Sequence, residues 1–164
     1  MSAPPLTYEV QARILRPGVS EIQAKHTTIA FDSSPGMGDE LPGPAELLCS
    51  AFAACVLKNV ERFSQMLPFE QHGASIRVTA ERQQDPPRFV SIQYELRVVT
   101  HEPPKRVDLL QRNLAKFGTV YNTLAASCEV TGQVVAVGRA TSDGPASPQT
   151  LGDLENPPAG PSGL

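Results

Sequence analysis

The sequence has no tryptophan, three tyrosines and six phenylalanines. Its 14 Lys and Arg residues form no cluster. A nucleic-acid groove needs several phosphate-neutralising cations on one face, so that class is set aside. No apolar run reaches the ~18–20 residues of a membrane span, and Met1-Ser2-Ala3-Pro4-Pro5 has neither the basic start nor the apolar stretch of a signal peptide. The three cysteines are odd in number and irregular in spacing, which argues against a secreted disulfide framework. We therefore expect a cytoplasmic protein with reduced thiols. Metal-ligand spacings are missing too. His26, His72 and His101 fall at strand edges or loops, with no Cys-x-x-Cys or His-x-x-x-His, so neither metal nor cofactor is expected. Gly36-Met37-Gly38 lacks the Lys of a phosphate loop, and no Gly-x-Ser-x-Gly elbow occurs.

What is present is the composition of one globular domain, 40% apolar and 19% charged over 164 residues. The 16 prolines and 12 glycines are unevenly spread, and from 139 to 164 nine of 26 positions are Pro or Gly. Such a tail cannot bury enough apolar area to offset its ordering entropy, so residues 139–164 are expected to be disordered and 1–138 to hold the domain.

The chain alternates polar and apolar residues over Thr7–Leu15, closed by a turn at Arg16-Pro17-Gly18. One or two further antiparallel strands are expected over Val19–Phe31. A loop from 32 to 43 is rich in Gly, Pro and acids. Pro44 suits the first position of a helix, Glu46 suits its first turn, and the pattern runs to Met66 before Pro68. Leu48, Phe52, Cys55 and Asn59 recur at helical spacing, which places Cys55 on the apolar face. Apolar residues cover more than one side of the helix's first half, which is therefore expected to be enclosed. Ser75–Arg82 and Arg88–Thr100 read as a hairpin. Pro103-Pro104 introduces a second helix with Val107, Leu110, Leu114 and Phe117 on one face. A further helical turn or two over Thr119–Ala126 and a last strand, Cys128–Val137, complete an α+β order of antiparallel sheets and segregated helices.

Gly43-Pro44-Ala45-Glu46-Leu47-Leu48, followed by Ala51-Phe52-Ala53-Ala54-Cys55, resembles the OsmC/Ohr family of thiol-dependent peroxide-reducing proteins. Gly118-Thr119-Val120-Tyr121-Asn122-Thr123-Leu124 is similar to a second family motif, Cys-Pro-Val-His-Arg/Asn-Thr-Leu. The resemblance covers most of residues 7–137 and implies an intertwined homodimer, in which antiparallel sheets built from both chains surround central helices. It also implies an attacking Cys, a second Cys that captures the oxidised first, and an Arg–Glu pair. Cys55 takes the attacking position. The second thiol would stand at Gly118 and the catalytic Glu at Ala45; Glu46 matches the following acid. No Arg occurs between Arg16 and Arg62, so the activating cation would come from Arg13, Arg77, Arg97 or a partner chain. Tyr121 replaces the family's His.

The residues leave alternatives open. Cys55 is either a reactive thiol or a packed small hydrophobe, since free Cys is among the most buried residue types. Cys49, six residues earlier, is separated from Cys55 by ~120° around the helix and ~9 Å along it, too far for a disulfide within one straight helix. Cys49 and Cys128 stand as substitute resolving thiols against a structural reading, and His26 as a base against a solvated strand residue. Glu46 reads either as a helix-start acid or as a catalytic base. Two functions are thus carried forward. In one, Cys55 reduces an organic hydroperoxide and is recycled by an external thiol. In the other, the dimer is catalytically degenerate and binds a small molecule or a partner.

Overall fold

The computed structural model describes residues 4–36 and 38–138, so the expectation about residues 139–164 lies outside the described residues. The chain order is β1 (Gln11–Arg16), β2 (Val19–Ala24), β3 (Thr27–Asp32), α1 (Pro44–Met66), β4 (Ala74–Gln83), β5 (Arg88–Val99), α2 (Pro104–Phe117), α3 (Thr119–Ala125) and β6 (Glu129–Val137). Two three-stranded sheets result, β1-β2-β3 and β4-β5-β6, an α+β fold with the helices gathered on the second sheet.

Prolines set the helix starts. Pro44 and Pro104 each occupy the first turn, where a missing N–H costs nothing because that donor has no intrahelical partner. Phe52, Val56, Val60 and Phe63 form the buried stripe of α1, at the i, i+4, i+8, i+11 spacing of one helix face. Each such side chain contributes on the order of 1.5–3 kcal/mol on full burial. The stripe meets Ile92, Tyr94, Leu96 and Val98 from β5 and Leu110 and Leu114 from α2. On β4, inward residues alternate with exposed Arg77, Thr79 and Glu81, so that sheet has one face on the core and one in solvent.

The structure corrects three expectations. β6 pairs with β5 in parallel, with Tyr94 opposite Gly132, so the second sheet is mixed and not purely antiparallel. Alternation specifies a strand's two faces and carries nothing about its direction. β1 begins at Gln11 and not Thr7, because its partner β2 ends at a turn where Lys25 takes a positive φ of 56°. Phe117, expected on the buried face of α2, is 48% exposed because the helix ends there.

Polar contacts tie the ends together. Arg106 donates to the Leu67 and Pro68 carbonyls and to Glu102, while the Glu102 carboxylate accepts from Glu70 N. Gln111 reaches from α2 to the outer edge of β6, donating to Gly132 O at 3.1 Å and accepting from Val134 N at 3.3 Å. The first sheet stands apart: its strands pack chiefly on one another, and Val10, Ile14 and Leu15 beside or within β1 are exposed.

Candidate functional site

Cys55 sits midway along α1, one residue before the buried Val56, at the border of the core stripe and not in its centre. The thiol is half-buried and free. Asn59, one turn on, donates its side-chain Nδ2 to the Cys55 carbonyl at 2.8 Å and stands 3.7 Å from Cys55 Sγ. On the exposed side of the same helix, Ala51 and Ala54 are open and Leu47 and Leu48 half-covered. Within one chain, therefore, the first half of α1 is covered on one side, and the enclosure expected from its apolar girth is incomplete.

Cys49 and Cys128 are also half-buried free thiols. Burial, then the nearby Glu46 charge, push the Cys49 thiol up from its ordinary value. Cys128 lies after α3, packs against the core and donates its S–H to Leu124 O at 3.4 Å. The structure joins neither to Cys55. Glu46 accepts from Gly43 N at 3.0 Å, satisfying a backbone donor at the helix start. Tyr121 completes an aromatic cluster with Phe52 and Tyr94, at centroid distances of 5.5 and 6.1 Å. Burial, reinforced by the Tyr121 phenol, holds the Tyr94 hydroxyl well above the usual phenol range.

Gly118 joins α2 to α3, and its surroundings bear on the missing second thiol. A Cβ there would stand 2.8 Å from Tyr121 Cβ and 2.9 Å from Leu114 O, so any side chain forces a shift. The same Cβ would be 3.5 Å from Asn59 Nδ2. Asn59 thus occupies the gap between Gly118 and Cys55. Ala45 is half-covered in the first turn of α1.

The candidate cations lie elsewhere in the chain. Arg13 pairs with Glu21 at 2.6 Å on the first sheet, and Arg97 with Glu95 at 2.8 Å on the second. Arg77 is on the exposed face of β4, and His26 is exposed at the β2–β3 turn. Sequence reading passed over Arg62, which with Asn59, Phe63, Met66, Leu67, Asn113 and Phe117 lines a cavity of about 70 Å³ between α1 and α2. The i+4 and i+7 spacing of Asn59 and Arg62 from Cys55 was the available signal.

The loop before α1 is more tightly held than its composition suggests. Asp32 accepts from Ser34 N and Gly38 N, both at 2.8 Å, and its own N–H donates to Pro42 O. The Ser34 bonds come first, then that of Gly38, in holding the Asp32 carboxyl below its ordinary value. No group of three or more His, Cys, Asp or Glu residues is arranged to hold a metal among the described residues. No helix among them is long and apolar enough to cross a membrane.

Comparison with solved structures gives the same architecture. An OsmC-like protein from Mycoplasma pneumoniae superposes with a TM-score of 0.74 at 17% identity, covering 80% of this chain and 98% of that one. An organic hydroperoxide resistance protein, also described as a predicted redox protein, from Legionella pneumophila gives 0.63 at 14%, covering 81% and 99%. The organic hydroperoxide resistance protein OhrB of Bacillus subtilis gives 0.56 at 18%, covering 79% and 98%. At these identities the likeness is one of fold. No curated protein matches the sequence. The sequence pattern of the OsmC-like protein family matches residues 36–132, more than half of the chain and including both α1 and Gly118. This chain is a member of the OsmC-like protein family.

Proposed function

We propose that the protein reduces organic hydroperoxides through Cys55, recycled by an external low-molecular-weight thiol in the cytoplasm. The observation that carries this is a half-buried free thiol on α1 with an amide donor beside it, inside the segment that the family pattern matches. Two solved structures of the same fold, from Legionella and Bacillus, bear hydroperoxide-resistance names and support the same class of role.

The Cys55 thiolate attacks the outer oxygen of ROOH. The O–O bond breaks, an S–O bond forms, and the alkoxide leaves to take a proton as ROH. Sulfur is oxidised to sulfenic acid while the peroxide is reduced. A thiol R′SH then attacks that sulfur, water departs, and a mixed disulfide forms. A second R′SH displaces Cys55 as thiol and leaves as R′SSR′. No cofactor enters. With Gly118 in place of a second thiol, nothing on that junction captures the sulfenic acid, so excess peroxide carries it on to sulfinic acid.

Assembly belongs to the same reading. The strands of the β1-β2-β3 sheet pack chiefly on one another, and the first half of α1 is open on one side. A second copy that supplies its first sheet as cover would complete both, giving the intertwined homodimer. The activating cation then comes from that copy or from Arg13, Arg77 or Arg97.

The test is hydroperoxide consumption with a small thiol as reductant. Cys55→Ser should abolish turnover, while Cys49→Ser and Cys128→Ser leave most of it. Mass spectrometry of the peroxide-treated protein should find sulfenic and sulfinic Cys55. A Cys55–Cys128 bridge, or one from Cys49 to the partner's Cys55, would show a relocated resolving thiol. An unmodified Cys55 under conditions that oxidise free cysteine would sink the enzyme reading and leave the small-molecule-binding or interaction dimer.

A further inference from the structure

Asn is an unfavourable choice in the middle of a helix, where its short amide competes with the backbone. Asn59 nevertheless sits two-thirds of the way along α1. Helical side chains tilt toward the N-terminus, so a residue four positions on lies over the earlier one. The amide nitrogen has two N–H groups. One serves the Cys55 carbonyl at 2.8 Å, which leaves the second for the sulfur 3.7 Å away. On its far side this nitrogen faces the Gly118 junction, and beyond it the Arg62–Phe117 cavity opens.

We propose that Asn59 is the hydrogen-bond donor that stabilises the Cys55 thiolate and holds the sulfur toward the gap at Gly118. This deepens the reading of Cys55 as a reactive thiol and rests on it. A donor to the charged form favours that form, and a bond to an ionised acceptor is stronger than one between neutral groups. An amide does this without carrying a charge.

The other titratable groups on the elements packed around α1 do not take this place. Arg62, on the same helix, donates to Met66 Sδ at 3.4 Å and lies 6.0 Å from the Phe117 ring centroid. Lys116 of α2 lies over that ring at 5.0 Å. Tyr94 of β5 and Tyr121 of α3 are occupied with each other and with Phe52. Arg77 and Glu81 of β4 point to the solvent face. Lys58 is exposed.

The measurement is the rate of Cys55 alkylation by iodoacetamide against pH, in the Cys49→Ser, Cys128→Ser background so that one thiol reports. Asn59→Leu keeps the branched heavy-atom skeleton and removes the donor; the midpoint should rise by about one pH unit, roughly tenfold less thiolate at a given pH below it. Asn59→Asp places a like charge beside the sulfur and should raise the midpoint further. Equal midpoints with and without Asn59→Leu, in proteins with matching melting curves, overturn the proposal while leaving Cys55 reactive. If the leucine variant does not fold, an unchanged midpoint in Asn59→Asp overturns it. A Cys55 that resists alkylation at every pH up to about 10 in the folded Asn59 protein overturns the reactive-thiol reading itself, and this inference with it.

Discussion

The Tyr94 ring lies across the backbone of Gly132, its direct neighbour in the parallel β5–β6 ladder. A Cβ on Gly132 would overlap the ring edge and stand 2.5 Å from the Tyr94 carbonyl oxygen. The absence of a side chain at one position is what lets an aromatic ring, 6% exposed, close the sheet against Phe52.

Gly132→Ala should therefore destabilise the fold by ~1–3 kcal/mol, the usual cost of forcing atoms into packed space. Chemical denaturation measures it. A variant as stable as the parent would show that the ring moves aside freely.

Arg106 should act as a clasp between the end of α1 and the start of α2. Arg106→Ala removes the side-chain donor from the Leu67 and Pro68 carbonyls and one of the two donors from the Glu102 carboxylate, which keeps Glu70 N. A loss of ~0.5–1.5 kcal/mol is expected, since water can reach the freed carbonyls, and Arg106→Lys should recover only part of it because ammonium lacks the guanidinium's planar fork. Full recovery by Lys would reduce the role to charge alone.

Cys49 should alkylate more slowly than free cysteine at about pH 8.5, since burial and Glu46 hold it protonated. The sign for stability follows. A raised folded value means the folded state keeps its proton longer, so this contribution is complete below the ordinary thiol range. It disappears as pH climbs through the folded value. Peptide mass mapping after brief labelling reads the rate; equal labelling of Cys49 and free cysteine would contradict the burial.

For Asp32 the sign is opposite. Its lowered value means the ties to Ser34 and Gly38 are complete above the ordinary carboxylate range and are lost as pH falls through the folded value. At neutral pH, Asp32→Ala should expose the loop between Ser33 and Pro42 to faster proteolysis, leaving the melting temperature close to the parent's. Unchanged cleavage would mean that Asp32 N and Pro42 O hold the loop unaided.

On assembly, sedimentation at micromolar concentration should show a dimer. Ile14→Asp, which puts a charge on a strand position 75% exposed in one chain, should shift it to monomer. A parent protein that sediments as a stable monomer would refute the proposed dimer.

Much of this fold is legible in the sequence because its boundaries are chemical. Pro44 and Pro68 bracket α1, Pro103-Pro104 opens α2, and alternation marks β4 and β5. The parallel sense of β6 is not legible, because period-two patterning is the same whichever way a strand runs. Nor is the border position of Cys55: the spacing of Leu48, Phe52 and Cys55 fits one face, but the stripe that packs is 52-56-60-63, set by where β5 and α2 lie. Glu46 was legible as a helix-start acid. Asn59 was visible as a neighbour of Cys55, but the sharing of its two N–H groups depends on a rotamer that sequence does not encode.

The side chain of Gln111 has a consequence for how the molecule grows. By bonding Gly132 O and Val134 N it imitates a neighbouring strand along the outer margin of β6. That stretch of the margin is thereby taken, whereas β4 forms the opposite flank of the sheet. A strand added beside β6 would first have to displace that side chain, so the sheet extends more readily from the β4 side.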